Sequence, residues 1–523
     1  MKSQIINRRH KSGNYIVTAP IGGLNRRDNL DTMPENEAYV MDNYYPSETK
    51  VCLRGGYRAH SLNDGSVTLQ TLMEFHHQSG DHLFACGNGK IWDVSSQGEA
   101  VKLVENKNVN DWQYAQFKER LIVCNGYDDP LTYYEKTSGN WVFENLSVTG
   151  ENLNPKLLVN VAMSKQRLFF VEKNSLKCWY SENAGEVQGK LLTLDFSTLV
   201  TRGGYLQAVA SWTVDGGQGI DDLTVFLTSE GEALIYQGSN PSDASDWQLK
   251  GKYYISKPIG YRCTLQYEGD VVIICEDGYV PLSKAMPLAQ STTGAVAYSD
   301  KIRGLVLERV KNNRNRKGWQ GIIYPRGGYA LFNVPVYEQF EQHVINMSSG
   351  AWCRFTDIRA FCWGMLAGRL YFGSDSGVYL FDEGYSDNGM PICGLVRQAY
   401  SNLGSANLKK IQLINPRTKS STKFALCVYT DMDFADREYD YTESIGQAGN
   451  SIWSTGSNGM PWSSLQYPSG AKWATLKGSI RSQWICNSAS GFKASVVFKT
   501  KTRGNLIEWY NTGIIYEQGS GIL

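Results

Sequence analysis

Residues 329–383 read YALFNVPVYEQFEQHVINMSSGAWCRFTDIRAFCWGMLAGRLYFGSDSGVYLFDE. Residues 329–334 and 343–346 read as strands. Ser348-Ser349-Gly350 makes a turn, and Trp352-Cys353-Arg354-Phe355 follows. After a short apolar segment, 369–373 and 378–381 close a hairpin across Asp375-Ser376-Gly377. Aromatic and β-branched runs bounded by Gly, Ser and Asp are the pattern of short strands and tight turns. A strand pair, a turn, a Trp and a second hairpin within about fifty residues match one β-propeller blade plus the inner part of the next.

The same unit recurs from 66 to 384. Residues 83–86 turn at Gly87-Asn88-Gly89 into 90–93, and 120–124 turn at Asn125-Gly126 toward 131–134. Residues 167–171 turn at Lys173-Asn174-Ser175 into 176–180. Residues 224–228 turn at Glu230-Gly231 into 233–236, and 271–275 turn at Asp277-Gly278 into 279–282. Asn-Gly and Asp-Gly between apolar runs are strong hairpin signals. With the 329 and 370 strands the hairpins number seven, at a spacing of roughly 40 to 60 residues. The expected fold is all-β: a β-propeller of six to eight blades. Two successive β-sandwiches are the alternative that uses similar hairpins.

One segment breaks the period. Ile302, Leu305, Val306 and Val310 fall at helical spacing, so an amphipathic helix is expected over 299–310, within an insertion at 299–313. A basic loop carrying Lys311, Arg314, Arg316 and Lys317 follows and ends at Trp319. These four cations are candidates for facing DNA or a neighbouring subunit.

Flanking segments differ. Residues 1–65 are expected to hold an extended arm to about 21, the turn Gly22-Gly23-Leu24-Asn25, a short helix and the first strands. Thr32, Pro34 and Glu35 fit a capping box opening that helix, which would run to about Asn43 with Ala38 and Met41 on one side. Residues 385–523 are expected to form a C-terminal antiparallel β-sandwich, with strands at 408–414, 423–430, 479–486, 495–500 and 506–516. A Gly/Ser-rich stretch between them carries Trp453, Trp462 and Trp473. Arg26, Arg27, Trp453 and Trp462 are candidate assembly contacts.

Bulk properties set limits. A chain 42% hydrophobic and 20% charged, without low-complexity tracts, is expected to be folded. A net charge of +1 argues against a dedicated nucleic-acid binder. The eleven cysteines are odd in number and none are spaced as Cys-x-x-Cys. They read as reduced thiols of a protein folded in a cytoplasm. The N-terminus has no apolar h-region, and no apolar run approaches the ~18 residues of a membrane span.

Catalytic motifs are weak. Gly185–Lys190 is one residue short of a P-loop, and Leu191 stands where Ser or Thr is needed. His76, His77 and His82 lack a second ligand cluster. Asp128-Asp129 and Asp221-Asp222 sit at turns, where solvated carboxylates are common. No enzymatic activity, cofactor or metal is expected.

The chain resembles the tail nozzle (tail tubular, packaged-DNA stabilisation) proteins of short-tailed bacteriophages. The residues that carry the likeness begin with Gly22-Gly23-Leu24-Asn25, Met33-Pro34, Ala38, Asn43, Pro46 and Arg54-Gly55-Gly56. They continue with Ser299-Asp300-Lys301-Ile302, Asn333-Val334-Pro335, Val344-Ile345-Asn346 and Gly350-Ala351-Trp352. Arg369-Leu370-Tyr371-Phe372-Gly373 and Gly377-Val378-Tyr379 complete them. The resemblance implies a structural virion protein, made in the host bacterial cytoplasm, that forms a ring of about six copies. That ring would extend the DNA conduit below the portal and adaptor, touch double-stranded DNA transiently, and adjoin tail fibres or spikes. A receptor- or glycan-binding tail propeller is the alternative, and a glycan-cleaving propeller a further one.

Overall fold

A computed structural model describes residues 12–62, 67–137, 139–215, 220–267, 269–285, 297–420, 424–436 and 479–519. Strands dominate it, and the chain divides into two compact units that do not follow chain order. One comprises Met1–Arg58, Val344–Thr356 and Asp382–Leu523; the other comprises Ala59–His343 and Asp357–Phe381.

Among the described residues the second unit holds seven small sets of strands in chain order, mostly antiparallel and here called sheets, the sixth being part of a larger sheet. The first is Leu69–Phe75, His82–Gly87, Lys90–Asp93 and Val101–Val104. The second is Gln113–Phe117, Arg120–Cys124, Leu131–Thr137 and Asn140–Asn145. The third is Leu158–Ser164, Arg167–Glu172, Lys177–Ser181 and Gly189–Asp195. The fourth is Leu206–Asp215, Ile220–Thr228, Glu232–Gln237 and Gln248–Tyr254. The fifth has three strands, Thr264–Tyr267, Asp270–Cys275 and Gly278–Pro281. The sixth is Gln320–Tyr324, Tyr329–Val336 and the part of Gln339–Asn346 up to His343. The seventh is Cys362–Leu366, Arg369–Gly373 and Gly377–Phe381, completed by the strand Tyr57–Leu62, which precedes all the others in this unit.

Each sheet packs on the next. Phe75 and Phe84 of the first meet Tyr133 of the second, with ring centroids 5.6 and 4.7 Å apart. Ile122 and Cys124 join Leu168 and Phe170 of the third in one buried cluster. Phe169 meets Phe226 of the fourth edge to face. Gln266 Nε2 donates to Ser211 O across the fourth and fifth. Tyr279 of the fifth stacks on Phe332 of the sixth at 3.9 Å. Trp363 Nε1 of the seventh donates to Asn333 Oδ1 of the sixth. Cys362, Tyr371 and Leu380 of the seventh then pack with Leu69, Leu72 and Leu83 of the first. The cycle of contacts therefore returns to its start, which is a propeller-like arrangement.

The expected inserted helix is present as Arg303–Asn313, entered through a 3-10 turn, Tyr298–Ile302. Ile302, Leu305, Val306 and Val310 are all buried. Arg309 Nε pairs with Glu341 Oε1 at 2.7 Å, and Glu341 is hydrogen-bonded to His343, itself bonded to the Tyr279 hydroxyl. That chain of buried polar groups fastens the helix to the fifth and sixth sheets.

Among the described residues the first unit has one seven-stranded sheet and part of a second. One joins Lys409–Ser420 and Ile507–Gln518 with Val51–Leu53, Tyr44–Pro46, Ser12–Thr18, Ser479–Ser482 and Ile485–Gly491. The other joins Trp352–Phe355, Glu37–Asp42, Ile392–Gln398, Ala494–Thr502 and Ala425–Met432. They pack through Phe498 stacked on Trp509 at 4.5 Å, and through the Tyr44 hydroxyl bonded to Thr500 Oγ1 at 2.7 Å.

One expectation is corrected here. The capping box and helix at 32–43 are absent, because Glu37–Asp42 is a strand paired with Ile392–Gln398. Long-range pairing outweighs local helix preference there. Glu35 does not reach back to Thr32; its carboxylate takes the hydroxyls of Tyr15 and Ser401. The N-terminal arm, where described, is a strand: Ser12–Thr18 pairs along its whole length with Ile507–Gln518.

Candidate functional site

Sheet-entry segments and turns of the second unit surround a cavity of about 890 Å³. Six of the seven sheets contribute to it, so it lies at the mouth of the cycle. Its floor is set by Arg262. The Arg262 Nη2 donates to Thr71 Oγ1 and to Asp111 Oδ1, at 2.6 and 2.7 Å, and Nη1 donates to Gln70 O. Arg262 precedes the fifth sheet, whereas Thr71 and Asp111 belong to the first sheet and the entry to the second. Arg262 thus bridges the inside of the cycle, from the entry of the fifth sheet to the first sheet and the entry of the second. Beside it, burial pushes the Tyr261 phenol up to about 12, so it stays a neutral hydroxyl.

The wall above the floor comes from the segment after the inserted helix. Arg314, Arg316 and Lys317 line the cavity; Lys311 is exposed on the helix and does not. Sequence reading thus places three of its four basic candidates at one opening. Arg314 is paired with Glu276. Arg316 donates to Tyr337 O, with its guanidinium 5.5 Å from the Tyr337 ring. No acidic partner lies within ion-pair distance of Lys317 among the described residues. Trp319, at the end of this loop, is buried and donates to Asn313 O. Arg359 also lines the cavity, paired with Asp375 at 2.9 Å.

Tyr337 stands out. It is 65% exposed and has φ +52°, in the left-handed region. Together with Glu338 it forms the two-residue link between Tyr329–Val336 and Gln339–Asn346. Only the first of the pair has positive φ, a turn in which glycine is the usual residue there. The Asn313 side chain accepts the Tyr337 N–H, and Arg316 holds its carbonyl. Arg262, Tyr337 and Arg359 were missed by sequence reading. Nothing in their local sequence marks them, since only the fold brings them to one opening.

The remaining candidates lie elsewhere. In the first unit, Arg26 donates to Tyr39 O, and Arg27 pairs with neighbouring Asp28. Trp453, Trp462 and Trp473 lie outside the described residues. His76 contacts Asp81 at 3.1 Å and His82 contacts Asp93 at 3.4 Å. Among the described residues no three His, Cys, Asp or Glu side chains could jointly hold a metal. No helix among them is long and apolar enough to cross a membrane. Asp128 is held by Asn125 and Asn108, an arrangement that fixes a loop.

No protein-family model matches the sequence, and no curated protein matches it. Among solved structures, one similar chain is a 6-phosphogluconolactonase candidate from Bacteroides fragilis, 10% identical, with a TM-score of 0.36. That match covers 64% of this chain and 91% of the other. Another is BBS1N, solved in complex with ARL6DN, 10% identical, with a TM-score of 0.39 over 63% of this chain and 98% of the other.

Proposed function

We propose that the chain is a structural subunit of the tail nozzle of a short-tailed bacteriophage, one of about six copies forming a ring below portal and adaptor. In this reading the seven sheets are the seven blades of one propeller, with the Tyr57–Leu62 strand as the clasp. The first unit is a β-sandwich assembled from both ends of the chain. What supports the reading is where the residues carrying the resemblance fall. Asn25, Asn43, Arg54, Gly56, Asn346 and Trp352, spread over some three hundred positions, all lie buried or nearly so in the first unit. Gly23, at φ +81°, has no room for a Cβ, which would come within 2.5 Å of the Trp352 carbonyl oxygen. A Cβ on Gly56 would meet Ser386 O at 2.1 Å. In this reading these residues specify a scaffold.

In this reading the conduit of the ring runs between copies, and Arg262 bridges the inside of each propeller. Near-neutral charge suits a channel that must release DNA, because affinity rises steeply with each phosphate neutralised. Imaging the protein in the virion, or bound to its adaptor ring, tests the proposal. Several copies in a closed ring on the tail axis is the expected result; a single copy, or placement at a fibre tip, overturns it.

A further inference from the structure

We infer that the mouth of the second unit binds an anionic oligosaccharide, one bearing a carboxylate or phosphate group. Three observations converge on it. First is size: about 890 Å³ is within the range of small-ligand pockets, roughly 300–1,000 Å³. A few sugar rings fit such a volume, and a DNA duplex does not enter it.

Second is charge. The lining carries five cations, Arg262, Arg314, Arg316, Lys317 and Arg359, against three carboxylates, Asp111, Glu230 and Glu338. Arg262, Arg314 and Arg359 are answered by Asp111, Glu276 and Asp375. Lys257 answers Glu230. Arg316 and Lys317 are then left against the single carboxylate of Glu338, a net positive charge carried on the flexible stems suited to capturing an anion.

Third is Tyr337. An aromatic ring is held out at the edge of the cavity, at a turn position where glycine is free of strain and any other residue is not. Asn313 and Arg316 clamp that turn in place. The strain is maintained by the surrounding structure, and its effect is to present a ring face beside two cations. A ring face stacks on a sugar, while the cations pair with its acidic group. Single-stranded nucleic acid also combines stacking with charge, but it needs a groove that tracks a backbone. The opening here is ringed by sheet-entry segments of the cycle and bridged by Arg262.

The test is calorimetric titration of the full chain with trigalacturonate, a trisaccharide ending in a phosphate monoester, neutral maltotriose, and a twelve-nucleotide single strand. Saturable binding of at least one anionic trisaccharide is expected, and whichever binds identifies the anion. Arg316→Gln with Lys317→Gln should weaken that binding by about tenfold or more, the order expected for a charged hydrogen bond. Tyr337→Gly, which the backbone accommodates without strain, should weaken it several-fold. Lys311→Gln, outside the cavity, should leave it unchanged. Failure of both anionic sugars to bind, equal binding of maltotriose, or tighter binding of the single strand through the same residues each overturns the inference. Titration of the free chain reports on the cup alone and imaging reports on the ring, so the two readings fail separately.

Discussion

Asn43 adopts φ +60° and uses every polar atom of its side chain. Its amide donates to Thr356 Oγ1 and Cys393 O, and its oxygen accepts from Arg54 Nε and the Thr356 N–H. Arg54 in turn grips Asp387 with two bonds of 2.8 and 2.7 Å, both residues being buried. Removing one partner of such a pair leaves a buried charge, which costs about 3–5 kcal/mol. Arg54→Ala should therefore lower the urea midpoint of the first unit steeply; a loss under about 1 kcal/mol would show the pair to be solvated. Glu232 is buried too. Burial raises its pKa, but the Thr201 hydroxyl and N–H and the Lys252 ammonium outweigh that and hold it below the usual carboxylate value. A depressed folded pKa means the contribution is present above the unfolded value of about 4.3 and is lost as pH falls through the folded one. Acid denaturation profiles of the wild type and Glu232→Gln should thus converge below about pH 4. Profiles that stay parallel through that range refute this role. At this scale the sequence displayed the basic run of Arg314, Arg316 and Lys317, whose clustering is local. It could not display Arg262 or Tyr337, whose meaning depends on what lies opposite them.

Among the elements, the legible hairpins were mostly the second and third strands of each sheet. Arg120–Cys124, Arg167–Glu172 and Asp270–Cys275 are buried along almost all their length and read as unbroken apolar runs. Outer strands such as Gln248–Tyr254 and Gly189–Asp195 mix exposed and half-buried residues and carry no such signal. The first turns were hidden for another reason. Asn88-Gly89 has φ +46° and +71°, the expected residues for a turn with both centres left-handed. Lys118-Glu119 and Lys165-Gln166 adopt the same conformation, at +47° and +55° and at +44° and +60°, with residues that pay strain for it. Each costs on the order of 1 kcal/mol relative to glycine. Lys165→Asn with Gln166→Gly should accordingly raise stability by about 1 kcal/mol, read as a shift in denaturant midpoint. No shift, or a loss, would mean that these side chains hold the turn by contacts of their own. The helix misread at 32–43 shows the opposite failure, a strong local signal overridden by pairing to residues 392–398.

For the whole molecule, the eleven cysteines carry no disulfide. Seven are buried, while Cys393 and Cys486 are exposed and Cys52 and Cys427 half-buried. Burial lifts the Cys124 and Cys263 thiols well above their ordinary range. A thiol reagent should modify two sites quickly in the native protein, two more slowly, and the remainder only after unfolding. Rapid modification of the buried seven would show that the sheets open readily. Both units are built from distant parts of the chain, which no local pattern announces. Among the described residues the strand Ser12–Thr18 pairs with Ile507–Gln518, about five hundred positions away. A polypeptide cut short during synthesis thus leaves its beginning without a mate, and an unmated strand edge invites aggregation. Closure of this sheet waits on Ile507–Gln518, so a nascent chain holds one of its earliest strands in reserve until those residues have been made.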